Sequence, residues 1–561
     1  MGPELKAGNF VAELRDALGH RRMGEGFALL EQLRPQLESL EPCAGAGVVA
    51  GLAAQWVDAG FGGADLLERL LARFSKTARA ALPVIDYLHI RMAEAATAMA
   101  REDFAAAEEH LQAVLRFEEE IDDGEMFAIA NFWLGRMFRK RGRYDEAMEP
   151  TTRGERQALA LGYVGMAAIS RVTMSWLAFQ KGKLHEAQQL LRDAEEALNP
   201  TDDFVSRGNI QSAYGRIARR QGKYELAVER FERAIAEFRR GGNGSMQLAR
   251  TLVNLAFVQR LLAVRLQREL DCVAAVRRGK PAAPADPARV QRQRIERIRE
   301  AARQSLAEAA VIYEPHHNHR GIAAVRITEG FLWLDAGDLE QAAADAAEAF
   351  AQASGTSDYI VMARARTLGC IIEHTAMEEQ VGDAVQHRDA AEAFAREAVA
   401  FAGQTENRRL LARALVWQGL TFAAEPADLE ASRRCCEQAM ALLQPEGIER
   451  QYVWEDLETL KARILHSQSV EGMLRAWSGG IVEGQSFQQM TEQFARIVIP
   501  RVWEREGRKV SRVADRLSIS PKKVRRILHA AGVTAAEGGA EEKKGRSDMP
   551  SASRQTDRQD V

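Results

Sequence analysis

Small apolar residues recur at a fixed interval through the first half of the chain. Ala107, Ala147, Ala187 and Ala227 stand forty residues apart, each three residues after a bulky side chain: Phe104, Tyr144, Leu184 and Tyr224. Four residues beyond each alanine come Leu111, Thr151, Leu191 and Phe231, and Gly142, Gly182 and Gly222 keep the same interval. The apolar positions around these marks follow the three-to-four spacing of amphipathic helices, and alternating strand patterns are nearly absent. A constant period of this length predicts stacked copies of one helical hairpin. Glycine lets the chain leave the first helix through a left-handed turn. The bulky residue fills the elbow, and the small alanine permits the two helices to approach. One hairpin cannot cover its own apolar face, so neighbours must stack into an all-α solenoid.

The pattern is looser at both ends of this stretch. Residues 1–90 carry helical periodicity broken by glycines, as in the run from Ala64 to Leu71, and predict hairpins too degenerate to align. A first helix from about Ser245 to Val276 precedes the segment RRGKPAAPADP, whose prolines forbid helix, and a second runs from about Ala288 to Ile312. Further units are marked by Gly330 to Gly337 with Ala342, Ala346 and Ala349, by Leu368 and Gly369 with Ala391, and by Trp417 and Gly419 with Ala431 and Met440. Residues 448–466 read as a helix closing the open end. The expected division is degenerate hairpins over 1–90, a repeat array over 91–466, a small helical domain over 467–535 and a tail over 536–561 too poor in apolar residues to order itself.

The repeat resembles the tetratricopeptide family in Leu134, Gly135, Phe138, Gly142, Tyr144 and Ala147, and again in Gly215, Gly222, Tyr224, Ala227, Phe231 and Ala234. Its period is forty residues where that family has about thirty-four. The resemblance implies a concave groove that binds a peptide or protein. Its groove positions fall on Phe132, Arg136 and Arg139, on Val172, Trp176 and Phe179, and on Ser212, Arg216 and Arg219. Arginines flanking aromatic rings suit an acidic peptide or a terminal carboxylate. The alternative is that these arginines only solubilise the surface.

Of 561 residues, 46% are apolar, ample for several cores. No run of eighteen apolar residues exists and the N-terminus lacks a basic start followed by an apolar segment, so a cytoplasmic protein without a membrane span is expected. Cys43, Cys272, Cys370, Cys435 and Cys436 follow no ligand or disulfide spacing and read as reduced thiols. His316, His317 and His319 lack cysteine or carboxylate at ligand spacing, which favours a solvated connection over a metal site. Gly241 to Ser245 is not a phosphate loop, because no Lys-Ser/Thr follows the glycines. No nucleophile or acid–base arrangement is recognisable, so neither catalysis nor a cofactor is expected.

Charge changes this picture at one end. Between Arg496 and Ala531 lie eleven Lys or Arg against Glu504, Glu506 and Asp515, whereas the whole chain carries −3. Apolar Val510, Val513, Leu517, Ile519, Val524 and Ile527, with small Ala514, space two short helices crossing over a tight turn. Ser520 and Pro521 start the second helix, and its remaining face, Lys522, Lys523, Arg525, Arg526 and His529, is almost wholly cationic. A phosphate backbone suits such a face. These residues resemble the Fis-type helix-turn-helix that closes many bacterial regulators of the NtrC kind, in Val513 and Ala514, in Leu517, Ile519 and Ser520, and in Leu528, Gly532 and Val533. The sequence departs from that family at Ser518, where it usually has glycine, and in a longer approach from Gly507. On this reading Lys522, Lys523, Arg525 and Arg526 contact double-stranded DNA from the major groove, with Ser520 and His529 beside them, while Arg508, Lys509 and Arg512 anchor the flanking backbone. The helix expected over 486–505, kinked at Pro500, either pairs two chains, as the resemblance implies, or docks within its own chain. The absence of a Walker-type loop excludes the ATPase that usually accompanies this motif in such activators. Two functions follow: a DNA-binding transcription regulator sensing a peptide or protein, or a non-catalytic scaffold whose basic hairpin is a docking module.

Overall fold

Helices form where the three-to-four spacing of apolar residues demands them. The computed structural model describes residues 7–242, 245–277, 287–424, 427–443, 452–467 and 486–530, and no strand occurs among the described residues. The chain falls into two compact units, Met1–Ile464 and Leu465–Val561. No described helix is long and apolar enough to cross a membrane.

The first unit begins with α1 (Ala7–Gly19), α2 (Met23–Glu38), α3 (Ala46–Asp58), α4 (Ala64–Ala72), α5 (Lys76–Ala80), α6 (Val84–Ala100) and α7 (Phe104–Leu115). α6 pairs with α7, so the boundary expected at residue 90 falls inside α6, and the repeating hairpins begin with that helix. The pair α1–α2 is fastened onto later helices by charge. Arg21 Nε donates to Asp203 Oδ2 at 2.7 Å in a buried pair, and the backbone amides of Met23 and Gly24 donate to the Asp202 carboxylate.

The forty-residue period appears as α8 (Gly124–Arg141) with α9 (Tyr144–Ala160), α10 (Val164–Gln180) with α11 (Leu184–Leu198), and α12 (Phe204–Arg220) with α13 (Tyr224–Gly241). Ala107, Ala147, Ala187 and Ala227 are fully buried, as the close crossing requires. Gly142 sits at φ +80°, and the Arg143 amide closes back on the Phe138 carbonyl at 3.0 Å, which satisfies the helix end. Further pairs follow: α14 (Ser245–Arg277) with α15 (Pro287–Tyr313), α16 (His319–Ala336) with α17 (Leu339–Ser354), α18 (Tyr359–Glu378) with α19 (Ala384–Gly403), and α20 (Arg408–Phe422) with α21 (Leu429–Leu443). The closing helix is α22 (Tyr452–Ser467), whose Val453, Leu457 and Leu460 share a core with Leu415 and Cys435. Most of the proline-rich excursion, residues 278–286, lies outside the described residues, as do 444–451 in the connection to α22.

The first helices of successive pairs also touch one another, from α8 with α10 through to α18 with α20, so they line the inner side of the stack. The stack then turns far enough to meet itself. The Glu406 amide donates to the Gly142 carbonyl at 3.0 Å, the Asp145 amide donates to Glu406 Oε2 at 2.6 Å, and Arg320 Nη1 donates to the Lys140 carbonyl at 3.0 Å.

The second unit contains α23 (Phe487–Arg505), α24 (Val510–Leu517) and α25 (Pro521–Ala530). α23 is one continuous helix through Pro500, started by a capping box of Ser486 and Gln489. Ile499, Trp503, Val513, Ala514, Val524, Ile527 and Leu528 form its core. The Ser520 hydroxyl accepts from the Lys523 amide at 3.2 Å and caps α25. Ser518 adopts the left-handed conformation, φ 51° and ψ 42°, that ends α24. The tail expected at 536–561 lies outside the described residues.

Candidate functional site

Two surfaces collect the side chains singled out from the sequence. On the inner side of the array, α8 contributes Phe132, Arg136, Arg139 and Lys140; α10 contributes Val172, Trp176 and Phe179; α12 contributes Ser212, Arg216 and Arg219.

The structure divides the expected groove residues. Phe132 and Phe179 are only 8% and 5% exposed and belong to the core, which corrects their assignment to a ligand-facing strip. The repeat turns each ring beneath an arginine of the same or the next first helix, Arg136 over Phe132 and Arg220 over Phe179. Ser212 is buried and accepts from Thr251 at 3.2 Å, so it too is engaged internally. Arg136 holds Asp58 of α3 through both carboxylate oxygens, at 2.5 and 2.9 Å. Arg219 donates to Asn254 at 3.3 Å and lies over Phe257. Trp176, half-buried, packs edge-on against Tyr144 with ring centroids 5.0 Å apart and carries the Arg139 guanidinium 5.0 Å above it. Arg139, Trp176 and Arg216 thus remain as side chains that can meet a ligand.

Two neighbours extend the charge beyond the positions read from the sequence. Lys140 lies in the last turn of α8, and Arg250 is an exposed residue in the second turn of α14. Arg250 occupies an early inner position of its helix, where α12 has Asn209, and the two side chains bond at 3.0 Å. The groove positions carried from the third pair to the next do not fall on Arg250, so the repeat pattern gives no signal for it. Burial lowers the pKa of Lys140 to about 8, assisted by Arg136, Arg320 and Arg139 and opposed by Glu102. Burial and the surrounding guanidinium charges pull Arg139 and Arg216 below the usual arginine range as well.

The second surface is α24 with α25. Arg508, Lys509, Arg512, Ser520, Lys522, Lys523, Arg525, Arg526 and His529 are all exposed, while Val513, Ala514, Val524, Ile527 and Leu528 are buried beneath them. Arg508 lies 5.7 Å from the Trp503 ring, and Arg526 stands 3.8 Å from Glu492 of α23. Among the described residues Lys509, Arg512, Lys522, Lys523 and Arg525 have no carboxylate partner. Phe494 on α23 is 47% exposed.

No group of His, Cys, Asp or Glu among the described residues could hold a metal ion. The cysteines are free, with Cys43 and Cys272 exposed and Cys370, Cys435 and Cys436 buried.

No family model matches the chain, and no curated protein matches it. Among solved structures, a Rap protein complexed with competence and sporulation factor is similar over 72% of this chain and 99% of its own, at 13% identity and a TM-score of 0.50. The apo form of RapI aligns over 75% of this chain and 99% of its own, at 14% identity and a TM-score of 0.36. The fold is that of a tetratricopeptide-like helical-repeat protein.

Proposed function

We propose that the chain is a DNA-binding transcription regulator, in which the helical array receives a peptide or protein and the C-terminal unit binds double-stranded DNA. The observation that carries this reading is the outward display of the cations of α24 and α25 over a closed apolar seam. A short helix that opens with Lys522 and Lys523 at its N-terminus suits insertion beside a phosphate backbone. The Fis-type resemblance of these residues supports the same role, and the exposed Phe494 on α23 supports pairing of two chains through that helix. The protein works without catalysis or a cofactor of its own, in the cytoplasm.

A mobility shift with genomic fragments tests the reading. Lys523→Glu combined with Arg526→Glu abolishes the shift and leaves the helical circular dichroism unchanged, because both side chains are exposed. A parent protein that shifts no fragment refutes DNA binding.

The second reading is a protein-interaction scaffold with a basic docking module. It is favoured by the fold, shared with a Rap protein whose structure holds a partner factor, and by Arg139 and Trp176 on the inner face. Partner capture that survives removal of residues 486–561, with no DNA shift by the full chain, selects it.

A further inference from the structure

Beside Arg219, which bonds to Asn254, six further cationic side chains gather on the inner face of the array, and carboxylates of the described residues pair with two of them. Arg136 is matched by Asp58, and Arg320 by Asp358 at 3.0 Å. Arg139, Lys140, Arg216 and Arg250 have no carboxylate partner among the described residues. Arg139 bears only on the Trp176 ring, its Nε buried without a hydrogen-bond partner. Lys140 Nζ lies 5.7 Å from the Phe104 ring, and Arg250 bonds to a neutral amide. These residues come from α8, α12 and α14, which are linked in the stack as α8 touches α10, α10 touches α12 and α12 touches α14. The meeting of the stack with itself adds α16, through the bond from Arg320 to the Lys140 carbonyl.

We infer that Arg139, Lys140, Arg216 and Arg250 form a binding site for a phosphoryl group, the anionic part of the ligand that the array receives. The inference rests on the reading of the inner face as the ligand site and narrows it to one chemistry. A lone carboxylate brings one charge and two acceptor oxygens. A phosphoryl group brings nearly two charges and three acceptor oxygens, which guanidinium forks meet in pairs. Where this protein neutralises an inner-face arginine it already uses its own aspartates. The four left over require an anion of higher charge density from outside. Burial first, and then repulsion from neighbouring guanidinium groups, keeps Arg139, Lys140 and Arg216 below their ordinary pKa ranges, and a bound anion would relieve the repulsion. Trp176, half-buried beneath Arg139, gives the site one flat wall. The phosphoryl group can come from a free polyphosphate or nucleotide, or from a phosphorylated side chain of a peptide.

The test is calorimetric titration of the full chain at fixed ionic strength with four probes: tripolyphosphate, ATP, a phosphoserine peptide, and a glutamate peptide of the same nominal charge. Two variants accompany the parent: Arg216→Gln with Arg250→Gln in the array, and Lys523→Glu with Arg526→Glu in the C-terminal unit. Tripolyphosphate is expected to bind at one site, about a hundredfold more weakly in the array variant and unchanged in the C-terminal variant. Tighter binding of ATP assigns the source to nucleotides, and tighter binding of the phosphoserine peptide assigns it to a modified partner. The array variant should melt no lower than the parent, because it loses charges that repel one another. A lower melting temperature would show that the cations are held by the fold itself and would overturn the site. So would tripolyphosphate binding that only the C-terminal variant loses, or no binding at all. If the glutamate peptide binds as tightly as tripolyphosphate and loses as much in the array variant, the phosphoryl site is refuted while the peptide-receptor reading stands.

Discussion

Salt dependence is the sharpest measure of whether the C-terminal unit meets a polyanion. Five cations, Lys509, Arg512, Lys522, Lys523 and Arg525, are exposed and lack a carboxylate partner among the described residues. If all five neutralise phosphates, log Kobs falls against log[salt] with a slope of about −4.5. Raising salt from about 50 to about 200 mM then weakens binding roughly five-hundredfold. Lys523→Ala with Arg525→Ala removes two of the five, so the slope becomes about −2.7 and the same change of salt costs only about fortyfold. Fluorescence anisotropy of a labelled duplex, read at four or five salt concentrations, gives both slopes. The variant must keep its fold, since neither side chain contributes to the seam of Val513, Val524 and Leu528. A parent slope between zero and about −1, or equal slopes for parent and variant, refutes the assignment of these cations to phosphates.

Three further outcomes test the fold. Gly135→Ala would place a methyl 2.0 Å from Thr151 Oγ1 and 3.0 Å from the Ala147 carbonyl, where α8 crosses α9; unfolding of the array should lose about 2 kcal/mol, and an unchanged melt would deny the close crossing. Burial, with repulsion from Glu329, raises the Asp345 carboxyl to about 6 against the opposing pull of Arg326. Because the folded chain holds that proton more tightly than the unfolded one, this contribution is complete below about pH 4 and disappears as pH rises to the folded value of about 6. Asp345→Asn should therefore stabilise the array by about 1–2 kcal/mol at pH 8 and by nothing at pH 4, a difference read from thermal melts at the two pH values. Ser518→Gly removes the cost of a side chain at φ 51° and should stabilise the C-terminal unit by about 0.5–1 kcal/mol, seen as slower hydrogen exchange across residues 510–530.

The repeat was legible because its chemistry is local. An alanine at each crossing, a glycine at each left-handed exit and a bulky residue at each elbow act within one hairpin, so forty-residue spacing alone places α7, α9, α11 and α13. Ser520 and Pro521 likewise locate the start of α25 without reference to the rest of the chain. The orientation of the aromatic rings was not legible in this way. Phe132 and Phe179 satisfy the helical period for the inner face, yet each turns into the core because an arginine packs over it. A position in a repeat fixes the side of the helix but not the side-chain rotamer, and for a ring beside a guanidinium the rotamer decides which of the two meets solvent.

Charge compensation on the inner face is set by still longer distances. Arg136 is paired by Asp58, 78 residues away, and Lys140 is brought to Arg320, 180 residues away, by the turn of the stack. No periodicity announces such partners, because they depend on how far each hairpin rotates against the next. The same rotation adds the charge of Arg320 to that of Lys140 and Arg139. First helices that would be separate in a straight stack are brought to face one another where Glu406 bonds to Gly142, and Arg320 arrives there already paired with Asp358. Arg153 and Arg171, by contrast, find Glu118 and Glu155 within the same or the adjoining hairpins, at 3.0 and 2.6 Å. The stack can satisfy arginines hairpin by hairpin, and among the described residues it leaves Arg139, Arg216 and Arg250 of its inner face without a carboxylate. An anion that enters there interacts with residues of α8, α12 and α14 together, so its binding free energy depends on the relative rotation of the pairs.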